Sequence, residues 1–463
     1  MLSGKAGDFV KEKGFLSAVI GIAVPVGLQS MLQSSFAMVD QLMVGQLGST
    51  AVSAVEVAGR PAFIYSVAVG AMAAIAGIMI SQYLGMKDRE MADRSLWVNL
   101  GAVLALGGLF TAVCLALPGQ IVGLYIKDDP AILGAGRDYL TRIVWTYLPM
   151  GASSVLAVMI RCMDRAAWPL AAGIASAAVN TGLNYVLIFG RLGFPALGVS
   201  GAAIASVVSQ LVNLLLILLM FRRVQGKAAR RPSLSLGAEG RRQYLAMLLP
   251  LLATELLWSL GQNVNTFIYG HLEQGDLAAM SMTGPIQGLF IGALSGVSQA
   301  AGILIGKRLG AGEYDQAYRE AKKLVWYGLA GSLGLSALLL VLRGPYVQLY
   351  RVEPGVRAAA AGLLAAFAVL APVKVANMIL GGGVVRSGGK TAYIMVIDIV
   401  GTWLVGVPLG LITAFVFRLP VVWVYFILSQ EELVRLLMTV AVFRRRGWMN
   451  SLKTGRAQGG AGS

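Results

Sequence analysis

Stretches of twenty or more predominantly apolar residues recur along the whole chain, and that feature excludes almost every fold except a bundle of membrane-spanning helices. A helix needs about 20 apolar residues to cross the hydrocarbon, where the backbone has no water to bond and must satisfy itself. Twelve segments meet the requirement: 16–40, 51–83, 95–117, 138–160, 167–189, 197–221, 243–268, 277–306, 324–343, 358–383, 392–416 and 420–443. Several exceed the minimum and have room to tilt or bend. Composition agrees, with 57% of residues hydrophobic and only 13% charged, where a soluble chain carries about 25%. The expected fold is an all-α polytopic membrane protein.

The net charge is +16, which in a soluble protein would point to nucleic acid. Here the basic residues sit in short loops, with no interleaved aromatics of the kind that stack on bases. Membrane topology explains them better, and no nucleic-acid partner is expected. With the N-terminus inside, seven inward segments hold most of the 38 Lys and Arg: around Lys11, Arg89, Arg161, Arg223, Lys307, Arg386 and Arg445. Outward loops hold few, such as Lys127, Arg191, Arg351 and Arg418. Both termini are therefore expected in the cytoplasm, with anionic headgroups as neighbours in a plasma membrane.

Two cysteines, Cys114 and Cys162, and one histidine, His271, leave no zinc, haem or iron–sulfur motif and no disulfide framework. No cofactor is expected. The polar N-terminus, with Lys5, Lys11 and Lys13, lacks the look of a cleavable signal.

Shifting the chain by 225 residues aligns it with itself. Pro25 falls on Pro250, Gly45 on Gly270, Gly59 on Gly284, and "AGIMISQYLG" (76–85) on "AGILIGKRLG" (301–310). Between 25 and 100 there are 17 ungapped identities, a bit over a fifth, against about a tenth expected by chance. Six spans per repeat give both copies the same orientation, hence parallel repeats. The expected organisation is a cytoplasmic N-terminus (1–15), a six-helix bundle (16–221), a cytoplasmic linker (222–242), a second six-helix bundle (243–443) and a basic, disordered tail (444–463). Two like bundles around a cleft suit a monomeric transporter that rocks between two access states. Pro25 and Pro250 lie inside spans and should kink them. Gly288, Gly292, Gly296 and Gly302, Gly306, Gly310 are spaced for close helix packing.

Ionisable residues inside spans are functional candidates by default, because each is costly unless paired or wet. Asp40, Glu255, Lys374 and Asp398 are read as such. Glu255 lies 13 residues beyond Arg242 and Lys374 lies 12 before Arg386, so each sits about 18–20 Å from the cytoplasmic end. A Glu–Lys pair at one depth would be a coupling pair or a permanent bridge. Asp40, whose repeat partner is Asn265, could carry a proton, ligate Na⁺, or face outer water at its helix end. Asp398 reads better as a satisfied structural acid, and Glu56 with Arg60 as a local i,i+4 pair. Asn180 and Asn184 share a helix face. Gln33, Gln262 and Asn377, with Trp258 three residues after Glu255, are candidates for a substrate cavity; amides could equally be glue between helices. An aromatic beside an acid suits an organic cation.

Twelve spans, two six-span repeats, "PVGLQSMLQSSFAMVDQLMVGQLGSTAVSAV", "MISQYLGMKD", "GGGVVRSGGKTAY" and "VGVPLG" together resemble the MATE (multidrug and toxic compound extrusion) family over about 16–443. The resemblance implies an antiporter, not an enzyme, that exchanges H⁺ or Na⁺ for a small organic, usually cationic, compound. It matches Asp40 and Pro25 to a first-span acid and kink proline. Asn184 stands where one branch has an acid four residues after Asn180. Glu255 matches a seventh-span acid of another branch, whose tenth-span acid is missing, with Lys374 and Asn377 in that region. Coupling is thus expected to involve Asp40, Asn180, Asn184, Glu255 and Lys374, with any metal being Na⁺ at Asp40. The main alternative is a lipid-linked oligosaccharide flippase of the same superfamily, although a strongly cationic cleft is not evident. A scaffold or a membrane enzyme fits less well, since no catalytic cluster stands out.

Overall fold

The computed structural model describes residues 3–126, 129–225, 236–272, 275–350 and 352–452. All regular secondary structure among them is helical. Among the described residues, eleven helical segments are long and apolar enough to cross a membrane. The helices are α1 (Ser3–Gly45), α2 (Ser49–Ala58), α3 (Arg60–Gly85), α4 (Arg89–Ala116), α5 (Pro118–Gly123), α6 (Pro130–Ile143), α7 (Tyr147–Cys162), α8 (Ala167–Phe189) and α9 (Val199–Gln225). They continue with α10 (Gly237–Gly270), α11 (Asp276–Gly310), α12 (Tyr314–Gln348), α13 (Pro354–Asn377), α14 (Thr391–Asp398), α15 (Val407–Leu411), α16 (Val421–Leu428) and α17 (Glu431–Arg444). The twelfth expected span is the pair α16 and α17, interrupted at Ser429 and Gln430.

Local chemistry sets several boundaries. Asp129 caps α6 by accepting from the Ala131 and Ile132 amides (3.0 and 3.1 Å), with Pro130 in the first turn. Wide π-helical turns run through Met378–Val385, Ile399–Gly406 and Ile412–Val416. Such turns are uncommon and concentrate at functional places. Pro25 and Pro250 lie inside the continuous helices α1 and α10. Each removes an amide donor from its helix. Leu42, Trp326, Val341 and Leu404 are among the large apolar side chains turned outward, as lipid contact requires.

The chain packs as two units. One comprises Met1–Ser30, Ser81–Asp88 and Gly237–Ser463; the other comprises Met31–Ile80 and Arg89–Leu236. This division differs from the expected break at the linker, because the start of α1 and the end of α3 join the C-terminal half. Glycine is the physical reason. A Cβ on Gly296 of α11 would strike the Ala23 carbonyl oxygen of α1, and one on Gly310 would strike the Gln82 carbonyl oxygen of α3. Within the first unit α11, α12 and α13 pack together, and α13 also packs on α16 and α17. In the second, α4 and α9 pack on α7, and α8 packs on α9.

The expected linker is shorter than read, since α9 runs to Gln225 and α10 begins at Gly237; residues 226–235 lie outside the described residues. The expected disordered tail is corrected in its first part. Trp448 is fully buried, stacked on Phe443 (5.7 Å), which stacks on Tyr318 (4.6 Å). Arg446 lies over Tyr318 and bonds Asp315 at 2.9 Å. The Gln82 side chain, itself buried, donates to Ser387 O (2.7 Å) and Asn450 O (3.2 Å) and accepts from the Leu452 amide (2.8 Å). Aromatic anchoring and a saturated amide thus fasten residues 445–452 as a strap. Residues 453–463 lie outside the described residues.

Candidate functional site

Two clusters of polar residues stand out, one in each packed unit. In the second unit, Asp40 near the end of α1 is part-buried and meets α8. Asn184 Nδ2 donates to Asp40 Oδ1 at 2.6 Å and to Asn180 Oδ1 at 3.2 Å. With its amide turned over, Asn180 instead donates to Asp40, at 2.7 and 3.1 Å to the two carboxylate oxygens, and gives up the bond it accepts from Asn184. The i,i+4 spacing on α8 presents both amides to one acid, so the structure joins these three residues. Tyr139 of α6 lies within electrostatic reach. Among the described residues no Lys or Arg pairs with Asp40. Asn184 Oδ1 is buried without a hydrogen-bond partner. A carboxylate oxygen and an amide oxygen thus lie close together with no base between them.

The first unit holds a cavity of about 480 Å³. Glu255 and Trp258 of α10, Lys374 and Asn377 of α13, Asp398 of α14, and Glu432 and Arg435 of α17 line it, together with Arg386. Ser295, Ser298 and Gln299 of α11 add polar groups but no charge. Gly381 and Gly382, in the π-helical turn after α13, keep one wall open.

The expected Glu255–Lys374 pair is not formed. Glu255 faces Arg386 at 3.8 Å, and Lys374 faces Glu432 at 3.7 Å. Depth alone suggested the pair, and depth says nothing about which way a side chain turns. Arg386 was counted as the cytoplasmic end of its span, yet its long stem brings the guanidinium into the cavity. Asp398 is paired as expected, with Arg435 at 3.6 Å. Glu56 and Arg60 form their local pair at 2.7 Å. Trp258 and Asn377 line the cavity. Gln33 and Gln262 do not; both are exposed on their helices.

Glu431, Glu432 and Arg435 escaped sequence reasoning. Arg435 is a hub, 3.6 Å from Glu431, 3.8 Å from Glu432 and bonded to Thr402. Asn377 donates to Glu432 at 3.0 Å and accepts from Thr439 at 3.2 Å. The signal was present, because all three residues fall near the middle of the segment 420–443. "SQEE" reads as a helix start, and α17 does begin there, but inside the span. The cluster is also built from its far side. A Cβ on Gly401 would come within 2.6 Å of Arg435 Nε, and one on Gly406 within 2.9 Å of the Glu431 carboxyl carbon. Two glycines in one π-helical turn therefore make room for two charged side chains.

The MatE family model matches residues 25–186 and again 250–412. Its two matches begin 225 residues apart, at the offset of the internal repeat. The chain belongs to the MatE family. It is therefore a polytopic membrane transporter with a duplicated domain, as its sequence resemblance implied. It is 26% identical to multidrug resistance protein MdtK of Edwardsiella ictaluri, over 86% of this chain and 87% of that one. It is 22% identical to the uncharacterized transporter YisQ of Bacillus subtilis, over 93% and 95% respectively. A MATE structure solved in complex with MaL6 superposes with a TM-score of 0.82 at 18% identity, covering 93% of this chain and 95% of the other, which establishes the fold.

Proposed function

We propose that this transporter is a secondary antiporter of the plasma membrane. It exports small organic, cationic compounds in exchange for H⁺ or Na⁺, works by alternating access as a monomer, and keeps both termini in the cytoplasm. The observation that carries the reading is the Asp40 site. Its carboxylate is held by the Asn184 amide at 2.6 Å and has no basic partner among the described residues, so its charge is open to a coupling cation. The acids of the C-terminal cavity, by contrast, each have a base within 3.8 Å. Asp40 with Asn180 and Asn184 would bind H⁺ or Na⁺, and Asn184 Oδ1 offers a second oxygen for Na⁺. Occupancy at this site would bias the rocking of one bundle against the other, because a ligand shifts an equilibrium only through its differential affinity for the two states. Names of relatives that include multidrug resistance support an organic cargo.

The test is efflux of a fluorescent organic cation from proteoliposomes, under a Na⁺ gradient and separately a pH gradient. Wild type is expected to respond to one of them and Asp40→Asn to neither. Coupled efflux retained in Asp40→Asn would remove Asp40 from the mechanism. No cation flux under any gradient would favour the lipid-linked flippase.

A further inference from the structure

Two cations crowd one aromatic ring on the surface of the first unit. Arg446 of the strap lies over the Tyr318 ring of α12, its guanidinium carbon 4.4 Å from the centroid, and Lys322 Nζ lies over the same ring at 4.5 Å. Phe443 stacks on that ring at 4.6 Å with the planes 12° apart, so one face is covered and both cations share what remains. Each is drawn to the π-system, yet the two repel one another. Arg446 spends one nitrogen on Asp315, at 2.9 Å, and that carboxylate is exposed. Arg319, three residues before Lys322 on the same side of α12, is exposed as well. Among the described residues no carboxylate pairs with Arg319 or Lys322. Glu313 and Glu320 are engaged by Arg308, at 2.6 and 3.0 Å. Arg319, Lys322 and Arg446 thus share this surface with Asp315, and five guanidinium donors are more than one carboxylate oxygen uses.

What continues along α12 narrows the ligand. Trp326 follows Lys322 by one turn, about 6 Å along the axis, and is 70% exposed. Leu333 and Leu340 follow at intervals of seven residues, with Val341 beside them, and all three are exposed. That interval keeps side chains on one face of a helix. The helix is one of those long and apolar enough to span a membrane. Its outward face therefore runs from bases, through an indole, to an aliphatic stripe. Tryptophan settles at the level of lipid headgroups, with basic side chains beyond it. The order of charge, amphipathic ring and hydrocarbon is that of a phospholipid laid along the helix. A soluble phosphate would make no use of the stripe, and an acidic peptide would not follow it into hydrocarbon.

We propose that this face binds one anionic phospholipid, its phosphate held between Lys322 of α12 and Arg446 of the strap, and its chains along Trp326, Leu333 and Leu340. The phosphate relieves the repulsion between the two cations and accepts charge-assisted hydrogen bonds from both. Arg446 and Lys322 belong to different elements, so the site is complete only while the strap is docked. Lipid binding and strap docking therefore favour each other, and the lipid fastens residues 445–452 in addition to Gln82 and Trp448. A lipid whose headgroup also carries a cation brings that charge up to the same bases and gains less.

In the test, the full-length protein in detergent is titrated with dioleoylphosphatidylglycerol or with dioleoylphosphatidylcholine. Native mass spectrometry reads lipid retention, and amide hydrogen exchange of residues 446–452 reads strap opening. Neither readout involves transport, so the result is independent of the cation-export reading. Wild type is expected to retain the anionic lipid roughly tenfold or more tightly than the zwitterionic one, since each base near the headgroup contributes about fivefold. At four times its Kd the anionic lipid should slow strap exchange about fivefold. Lys322→Gln removes no hydrogen bond of the strap, so its lipid-free exchange should match wild type, while its affinity for the anionic lipid should fall roughly fivefold. Lys322→Arg should recover that affinity. Arg241→Gln, which removes an exposed base at the start of α10, should bind as wild type does. Glycerol 1-phosphate at the same concentration should leave strap exchange unchanged. Equal retention of the two lipids overturns the proposal, as does an equal effect of Lys322→Gln and Arg241→Gln. Protection of the strap by glycerol 1-phosphate to the same degree overturns it too, by assigning the bases to a soluble anion.

Discussion

Replacing Gln82 with Leu tests the strap at its most heavily used side chain. Gln82 is fully buried near the end of α3. Its amide spends every strong contact on the chain termini of other elements: Ser387 O at 2.7 Å, Asn450 O at 3.2 Å and the Leu452 amide at 2.8 Å. Leu keeps the volume and loses all three bonds. Two of the three reach the strap, so at roughly 0.5–1.5 kcal/mol net per bond the strap loses about 1–3 kcal/mol. Trp448 and Leu452 remain as apolar anchors, so the global fold should survive. At the low end, about 1 kcal/mol, opening of the strap becomes roughly fivefold more populated. Amide hydrogen exchange reports such local opening directly. Exchange of residues 446–452 should accelerate by about that factor, while α12 stays protected. If exchange in this peptide changes by less than about threefold, the hydrogen bonds do not hold the strap and the reasoning is wrong.

Two further substitutions probe the packing of the first unit. Gly296→Val would drive its side chain into the Ala23 carbonyl and should lower the apparent melting temperature in detergent, at a cost of about 1–3 kcal/mol or more; Gly288→Val, whose Cβ meets nothing within 4 Å, should stay near wild type. Arg435→Met strands Asp398 and Glu431, while Glu432 keeps Lys374, and should cost about 3–5 kcal/mol, read as a fall in apparent melting temperature and yield of monodisperse protein.

The spans were legible because lipid leaves the chain few choices. Eleven of the twelve appear as single long apolar segments, while α16 and α17 form a broken twelfth whose charges lower its hydropathy. The repeat was legible as identities at a fixed offset. Asp40, Asn180 and Asn184 could each be singled out, because an acid in an apolar run and amides at i,i+4 are local features. Their meeting, across 144 residues of sequence, is tertiary. The C-terminal cavity was only half legible. Glu255, Lys374 and Asp398 stood out against apolar neighbours, whereas Glu431, Glu432 and Arg435 hid inside a pattern that mimics a helix cap. Partner choice failed for a related reason. Residue spacing gives depth along a helix, but Glu255 meets Arg386 because of azimuth and side-chain reach.

The two halves descend from one repeat, yet they handle buried charge in opposite ways. Where the first copy carries Asp40, the second carries Asn265, a neutral side chain of nearly the same shape, buried with its carbonyl oxygen unpartnered. An acid at 265 would have added one more buried carboxylate to a half that already buries Glu431 and Glu432. The exchange of Asp for Asn keeps the fold and removes the charge. Conversely, the first copy concentrates its candidate coupling chemistry in one acid with amide partners, so a single bound cation changes the net charge of that site completely. In the second copy, each acid lining the cavity already faces a base within 3.8 Å. Strong coupling to a small ion favours the first arrangement. The contrast supports the proposal that the coupling ion binds at Asp40. Asp40→Asn should then remove gradient dependence while leaving the ion pairs of the C-terminal cavity in place.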